Sequence, residues 1–197
     1  MANTNAPFGF QQRATINGPV NFRIAEKLIA STNNTAIGYG DVVVPVTSSA
    51  TGYITQATAS TVPAAGVFFG CKYYSTSQKK EVWNNYWPGS DATGDVTAFV
   101  CDDPTATFVA QMDSTGATQA LVGQNAQLVV GAGTNTTTGY SGMYLNSSTA
   151  TTSTYPFVIT GLITSPPGAN GTAAGAYNLV SVAWNFMLYK SGITGIS

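Results

Sequence analysis

Short apolar runs rich in β-branched and aromatic residues recur along the chain, and clusters of glycine, proline, asparagine and aspartate separate them. Helical patterning is almost absent. Many short strands with turn signals between them are typical of a sandwich or a barrel. We therefore predict an all-β fold, an antiparallel barrel or jelly-roll-like sandwich with an extended N-terminal arm. The predicted strands cover residues 20–25, 41–46, 52–57, 67–75, 81–87, 96–101, 106–112, 126–130, 139–145, 155–163 and 177–189.

Two segments depart from the simple strand pattern. The run FRIAEKLIA at 22–30 has an apolar spacing that fits either a strand or a short helix. The first residues hold Phe8 and Phe10 among small and polar neighbours, and a chain terminus is usually mobile unless it is docked. We predict an N-terminal arm at 1–19, docked on the domain or on a partner, and a single β domain at 20–197, a length that suits one domain.

The aromatic run VWNNYWPG at 82–89 is the most distinctive stretch of the sequence. If it is a strand throughout, alternation places Trp83, Asn85 and Trp87 on one face. An exposed face of this kind would suit a sugar-binding platform, whereas a buried one would pack against a neighbouring sheet or subunit. We predict packing or an interface. The residues predicted to form an interface are Phe8, Phe10, Trp83, Tyr86 and Trp87.

Charge is scarce, with seven Lys and Arg, eight Asp and Glu, no His and a net charge of −1. Binding to nucleic acid requires a cationic surface, and the sequence has no basic cluster beyond Lys79–Lys80. The same scarcity argues against a membrane-surface patch, and no run reaches transmembrane length. Because near-neutral proteins associate readily, we expect a homo-oligomer, a dimer or a trimer.

The two cysteines are expected to be reduced thiols. The segment at 1–13 lacks a basic region followed by an apolar region, so we expect synthesis in a cytoplasm without Sec-type export. Thiols stay reduced in that compartment. Cys71 and Cys101 both lie in apolar strand-like runs, which favours small buried side chains. A disulfide between neighbouring strands is the alternative.

The residues required for catalysis are sparse. Acid–base chemistry at neutral pH prefers His or tuned carboxylates, and the sequence has no His. Asp102 and Asp103 are adjacent, so on a strand they point to opposite faces and cannot flank one glycosidic bond. GYSGM at 139–143 is not a nucleophile elbow, and SDATGD at 90–95 suits an aspartate-initiated turn better than a calcium loop. We expect neither enzymatic activity nor a cofactor or metal.

The order of several segments resembles that of a family of tailed-bacteriophage head proteins, the structural cement or capsid decoration proteins. The resemblance covers nearly the whole chain. It implies a small all-β protein without catalytic residues that is made in the host cytoplasm. It also implies that the protein binds the major capsid protein on the outside of the assembled virion shell, at junctions between capsomers. The segments are MANTNAPFGF at the start, IGYGDVV (37–43), GVFFGCKYYS (66–75), VTAFVCDDPTATFVAQ (96–111), GYSGMYL (139–145), PFVITGL (156–162) and VAWNFMLY (182–189).

Composition is compatible with such a role. A decoration protein binds only the assembled shell and stabilises it by mass action, and many repeated contacts add avidity. With few charges, backbone, Thr, Asn and aromatic contacts would form the interface. The alternative function is a carbohydrate- or receptor-binding module of a virion fibre. The exposure of Trp83 and Trp87 distinguishes the two hypotheses.

Overall fold

The computed structural model describes residues 3–16, 18, 23–48, 51–58, 63–163 and 173–195. Strands make up 44% of the chain and helix 2%, which confirms the all-β prediction. The helical element in the described ranges is a single 3₁₀ turn, and no helix there is long and apolar enough to span a membrane. The turn is Gln119–Leu121, and the strands are β1 Gln11–Thr15, β2 Ile24–Ile29, β3 Val42–Pro45, β4 Ile54–Gln56, β5 Gly66–Tyr74, β6 Glu81–Asn84, β7 Val96–Cys101, β8 Ala106–Gln111, β9 Asn125–Ala126, β10 Leu128–Val129, β11 Tyr144–Leu145, β12 Phe157–Leu162 and β13 Leu179–Trp184.

The strands form two main antiparallel sheets and one small ladder. The first sheet has the order β1-β8-β13-β12-β9, and the second has the order β2-β7-β5-β3-β4, with β6 also paired to β5. Strands β10 and β11 pair with each other. The sheets are not closed, so the architecture is an open sandwich and not a barrel. The ambiguous run at 22–30 is a strand and not a helix, because β2 pairs with β7 over its full length.

The main core lies between the two sheets. The second sheet contributes Val42, Val67 and Cys101 to it, while the first sheet contributes a cluster of large rings. Phe157 stacks on Trp184 with ring centroids 4.7 Å apart. Aromatic pairs of this kind stabilise a core beyond their burial alone.

A second core lies on the opposite face of the second sheet. Val43, Phe68 and Val100 point into it, and Ile37 and Trp87 cover it from flanking loops. The backbone N–H of Ile37 donates to the carbonyl of Trp87 at 2.9 Å, and Trp87 returns a bond of 2.8 Å. This sheet is therefore buried on both faces over part of its length, which explains the run of three consecutive buried valines in β3.

The N-terminal segment is packed against the sandwich. Strand β1 forms an edge of the first sheet by pairing with β8. Phe10 is fully buried and stacks on Phe157 with ring centroids 4.3 Å apart. Gly9 has φ +76°, and a Cβ there would lie 2.4 Å from the Cβ of Ser141, so only glycine fits. The arm was predicted to dock on the domain or on a partner, and Phe10 docks on the chain's own domain. The predicted boundary at residue 19 lies outside the described residues.

Candidate functional site

The aromatic run at 82–89 is divided between surface and core. Strand β6 ends at Asn84, after which the chain bends. Trp83 is 66% exposed, whereas Trp87 is completely buried. The prediction that both indoles share one face is wrong, because alternation holds only while the strand continues. No Trp–Asn–Trp platform therefore forms.

Trp87 is a core residue. Its ring meets Tyr73 edge to face with centroids 5.1 Å apart. Its indole N–H donates to the backbone carbonyl of Asn33 at 3.2 Å. Trp87 and Phe10 are inaccessible to another chain, so the structure assigns these two predicted interface residues to the core. Phe8 and Tyr86 are partly buried, and Trp83 alone of the predicted set is a surface side chain.

Trp83 lies flat on its neighbour across the sheet. Its ring is nearly parallel to Phe99, with an interplanar angle of 9° and centroids 5.3 Å apart. The ammonium of Lys72 lies 5.3 Å from the centre of the indole. Gly70 pairs with Phe99 on the intervening strand and has no side chain to separate the two rings. One face of the indole is therefore covered by Phe99.

These rings belong to a larger apolar face. Paired residues of an antiparallel ladder share a face, and Ile24, Glu26 and Leu28 of β2 pair with Cys101, Phe99 and Thr97 of β7. Cys101 lies in the main core. The face that carries Phe99 is thus the core-facing side of the second sheet, extended beyond the cover of the first sheet. Its apolar members, which we call the overhang, are Ile24, Leu28, Trp83 and Phe99.

The overhang is accessible to a partner. Ile24 is 52% exposed and Leu28 is 46% exposed. A groove of about 390 Å³ begins beside Ile24 and is also lined by Gln11, Gln12, Tyr39 and Phe69. Tyr39 stacks on Phe69 with centroids 5.1 Å apart, so the groove has an aromatic wall.

A second apolar surface lies near the C-terminal end of the chain. Leu188 and Tyr189 are 45% and 51% exposed, and together with Pro63 and Phe186 they border a cavity of about 450 Å³. We call these four residues the C-terminal surface. The ammonium of Lys27 donates to the Tyr189 hydroxyl at 3.2 Å.

The two surfaces face in different directions. Side chains alternate along β2, so Lys27 points away from the face that carries Ile24 and Leu28. Tyr189 contacts Lys27 and also lies 5.2 Å from the guanidinium of Arg23. The overhang and the C-terminal surface therefore flank opposite faces of the same edge strand.

The adjacent carboxylates Asp102 and Asp103 have separate structural roles, as expected for a strand end. Asp102 is buried and forms an ion pair with Arg23, with Nε and Oδ1 2.8 Å apart. The Arg23 guanidinium donates a hydrogen bond to Asp102 at 3.0 Å, and this bond raises the pKa of the guanidinium. Asp103 accepts hydrogen bonds from the backbone N–H and the hydroxyl of Thr105.

Two other carboxylates also hold loops together. Asp41 is buried, which raises its pKa, and its Oδ2 accepts bonds from Gln56 and Thr134. Asp91 was expected to bond its own backbone, but its carboxylate accepts the hydroxyl of Ser75 at 2.7 Å. That bond is the main reason that the pKa of Asp91 falls to about 2. No group of three or more potential metal ligands occurs among the described residues.

A cavity of about 590 Å³ has no free catalytic acid among its described lining residues. Its carboxylate is Asp113, and Tyr144 and Tyr177 form part of the wall. Oδ1 of Asp113 accepts the backbone N–H of Thr115, and Oδ2 accepts both the N–H and the hydroxyl of Ser147. Both oxygens therefore hold loops in place. Burial acts to raise the pKa of Asp113, but the hydrogen bonds together outweigh burial and lower that pKa below its usual value.

Both cysteines are free and buried, which confirms that prediction and excludes the disulfide alternative. Burial raises the pKa of the Cys71 thiol to about 12. Burial also raises the pKa of the Cys101 thiol. Neither sulfur is therefore a ready nucleophile.

Sequence reasoning did not find Ile24, Leu28, Phe99, Leu188 or Tyr189 as surface residues. One signal was present: β7, VTAFVC, carries apolar residues on both faces. Such a strand is covered on both sides or leaves an apolar surface, and the sequence does not distinguish the two cases. Comparison with protein-family models, curated proteins and solved structures finds no match to this chain.

Proposed function

We propose that this chain is a structural protein of a tailed-bacteriophage head, which binds the outer surface of the assembled shell and stabilises contacts between capsomers. Its partner is the major capsid protein, and it is made in the host cytoplasm before it joins the virion. The proposal rests on the resemblance of its ordered segments to capsid decoration proteins and on the surfaces described above.

The observation that carries the proposal is the pair of apolar surfaces on opposite faces of β2. A protein that links neighbouring subunits needs at least two contact surfaces, whether to capsid subunits or to a second copy of itself, and exposed apolar patches mark interaction sites. The overhang presents Trp83 and Leu28, and the C-terminal surface presents Leu188 and Tyr189. Many copies on one shell would make modest contacts effective through avidity.

The described carboxylates and thiols favour a binding role over catalysis. Asp41, Asp102 and Asp113 are each hydrogen-bonded or ion-paired within the fold, and Cys71 and Cys101 are buried. The alternative, a carbohydrate- or receptor-binding module, is favoured only by the exposure of Trp83. A sugar platform would have to use the indole face that Phe99 leaves open.

Reconstitution on shells tests the proposal. Shells that lack the protein are incubated with the purified wild type or with Leu188→Asp/Tyr189→Asp, and occupancy and shell melting are measured. Ile16→Asp is the matched control, because Ile16 is 59% exposed and belongs to neither surface. We expect the wild type and the control to bind and to raise the shell melting temperature, and the double variant to lose occupancy at least about tenfold, which is about 1.4 kcal/mol.

Two results would contradict the proposal. One is a wild-type protein that binds no shell. The other is binding to a glycan array that Trp83→Ala abolishes while shell occupancy stays at background, which would establish the carbohydrate-binding alternative.

A further inference from the structure

We propose that the overhang is a homodimer interface, across which two copies of this chain pack face to face around a two-fold axis. The inference deepens the proposed function, and it rests on that function only where it makes the dimer the unit that binds the shell.

The sandwich is incomplete at this position. A sheet face is normally covered by a second layer, and here the first sheet covers the face around Cys101 but not around Phe99. Trp83, Ile24 and Leu28 extend the apolar character of that face into solvent. A second copy of the same face would supply the missing layer.

Two opposite charges on this face also favour a second copy as the occupant. Phe99 lies on β7, the strand between β5 and β2. Lys72 lies on β5, and Glu26, which pairs with Phe99, lies on β2. From the spacing of strands and residues in a sheet, Lys72 and Glu26 are separated by about 12 Å along a diagonal. Consider a two-fold axis that is parallel to the sheet and crosses this diagonal at its midpoint at a right angle. This axis places each Lys72 over Glu26 of the second copy. Lys72 also lies 3.7 Å from Glu81 of its own chain, whereas Glu26 forms no ion pair within the described residues.

The same axis also matches the apolar side chains. Trp83 on β6 is the cross-strand partner of Lys72, and Ile24 on β2 is two residues from Glu26. The axis that exchanges Lys72 with Glu26 therefore also brings the strand position of each Trp83 over that of Ile24 in the other copy. Ile24 stands at the mouth of the groove that Tyr39 and Phe69 line. The apolar side chains of each copy therefore face apolar side chains of the second copy, and the two Leu28 side chains meet near the axis.

The area indicates how tight this dimer is. Four strands and three rows of side chains cover about 400 Å² of each copy. A stable interface buries about 800 Å² per partner. We therefore expect a reversible dimer with a dissociation constant on the order of micromolar or weaker, which a shell would strengthen by holding copies close together. With a net charge of −1, two copies have little mutual repulsion.

Charge reversal tests the pairing directly, with analytical ultracentrifugation of the purified protein over a wide concentration range. We expect Lys72→Glu and Glu26→Lys each to raise the dimer dissociation constant at least about tenfold, or about 1.4 kcal/mol. The double variant Lys72→Glu/Glu26→Lys should restore the wild-type value to within about threefold. The matched control is Lys72→Glu/Glu81→Lys, which restores the pair within one chain but should leave the dimer weak.

A second set of variants tests the apolar contact. Trp83→Ala and Ile24→Ala should each weaken the dimer, while circular dichroism remains that of the folded wild type because both side chains are largely exposed. The inference is overturned if the wild type stays monomeric up to about millimolar concentration, if it forms a trimer, or if the two charge-reversed pairs behave alike. If the protein is monomeric but still decorates shells, the dimer is wrong and the proposed function stands. If it is a dimer but binds no shell, the proposed function is wrong and the dimer stands.

Discussion

Truncating Trp87 and Trp83 in turn tests the assignment of one indole to the core and the other to the surface. Trp87→Ala removes a completely buried ring, its edge-to-face contact with Tyr73 and its hydrogen bond to the Asn33 carbonyl. Substitution of a large buried aromatic residue by alanine costs about 3–5 kcal/mol. Trp83→Ala removes one stacked pair with Phe99 on an exposed face, for which about 0.5–1.5 kcal/mol is expected.

These free energies translate into separable melting temperatures. A domain of 150–250 residues, such as this chain of 197, loses about 2–4 °C for each kcal/mol. Trp87→Ala should therefore lower the melting temperature by about 6–20 °C, and Trp83→Ala by about 1–6 °C. Trp87→Phe should fall between, because it retains an apolar ring beside Tyr73 but loses the donor to Asn33.

The assay is equilibrium unfolding in urea, followed by far-ultraviolet circular dichroism because the substitutions alter fluorescence. Protein concentration is kept low, so that association through Trp83 does not contribute to stability. The slope of the free energy of unfolding against urea concentration should be the same for all variants, since the surface exposed on unfolding is nearly unchanged. Equal destabilisation by Trp83→Ala and Trp87→Ala would refute the assignment.

Three further predictions follow from buried or hydrogen-bonded groups. Phe10→Ala should cost about 3–5 kcal/mol in urea unfolding, and the half-buried Phe8, changed to Ala, should cost less; equal costs would contradict the docking of Phe10 in the main core. Cys71 and Cys101 should resist alkylation in the native protein, and both should react in denaturant without reductant; adducts that appear only after reduction would indicate a disulfide. The pKa of Asp91 is lowered from 3.8 to about 2, so its contribution to stability is complete above about pH 4 and is lost as the pH falls towards 2; Asp91→Asn should flatten that part of the pH–stability profile, and an unchanged profile would show that its hydrogen bonds do not stabilise the fold.

The functional proposals predict different losses for the two surfaces. Substitutions at Leu188 and Tyr189 should reduce shell occupancy without changing the dimer dissociation constant of the free protein. Changes at Lys72 or Trp83 should reduce dimer formation first. Shell occupancy by these variants should then fall through lost avidity.

Local signals in the amino-acid sequence are sufficient to predict the fold class, the approximate strands and the burial of both thiols. Turn residues between β-branched runs are local signals, and the order of such runs needs no knowledge of partners. Cys71 and Cys101 lie within apolar runs, so their burial also followed from local pattern. The end of β7 at Cys101, directly before Asp102, Asp103 and Pro104, also followed from local pattern.

The division of the aromatic run at 82–89 between surface and core depends on tertiary contacts. Asn85 and Tyr86 lie so close to Gly139 that a Cβ there would come within 2.7 Å of the Asn85 amide. Trp87 then bridges to Ile37 and not to β5. These contacts join segments far apart in the chain and end β6 one residue after Trp83, which no pattern within 82–89 encodes.

The overhang could not be predicted from the sequence, for a related reason. Alternation shows that Ile24 and Leu28 share a face, but it does not show whether another layer covers that face. Coverage depends on how far the first sheet extends over the second, which is a property of the packed sandwich. Only the fold places Trp83 over Phe99 and leaves Trp83 exposed to a partner.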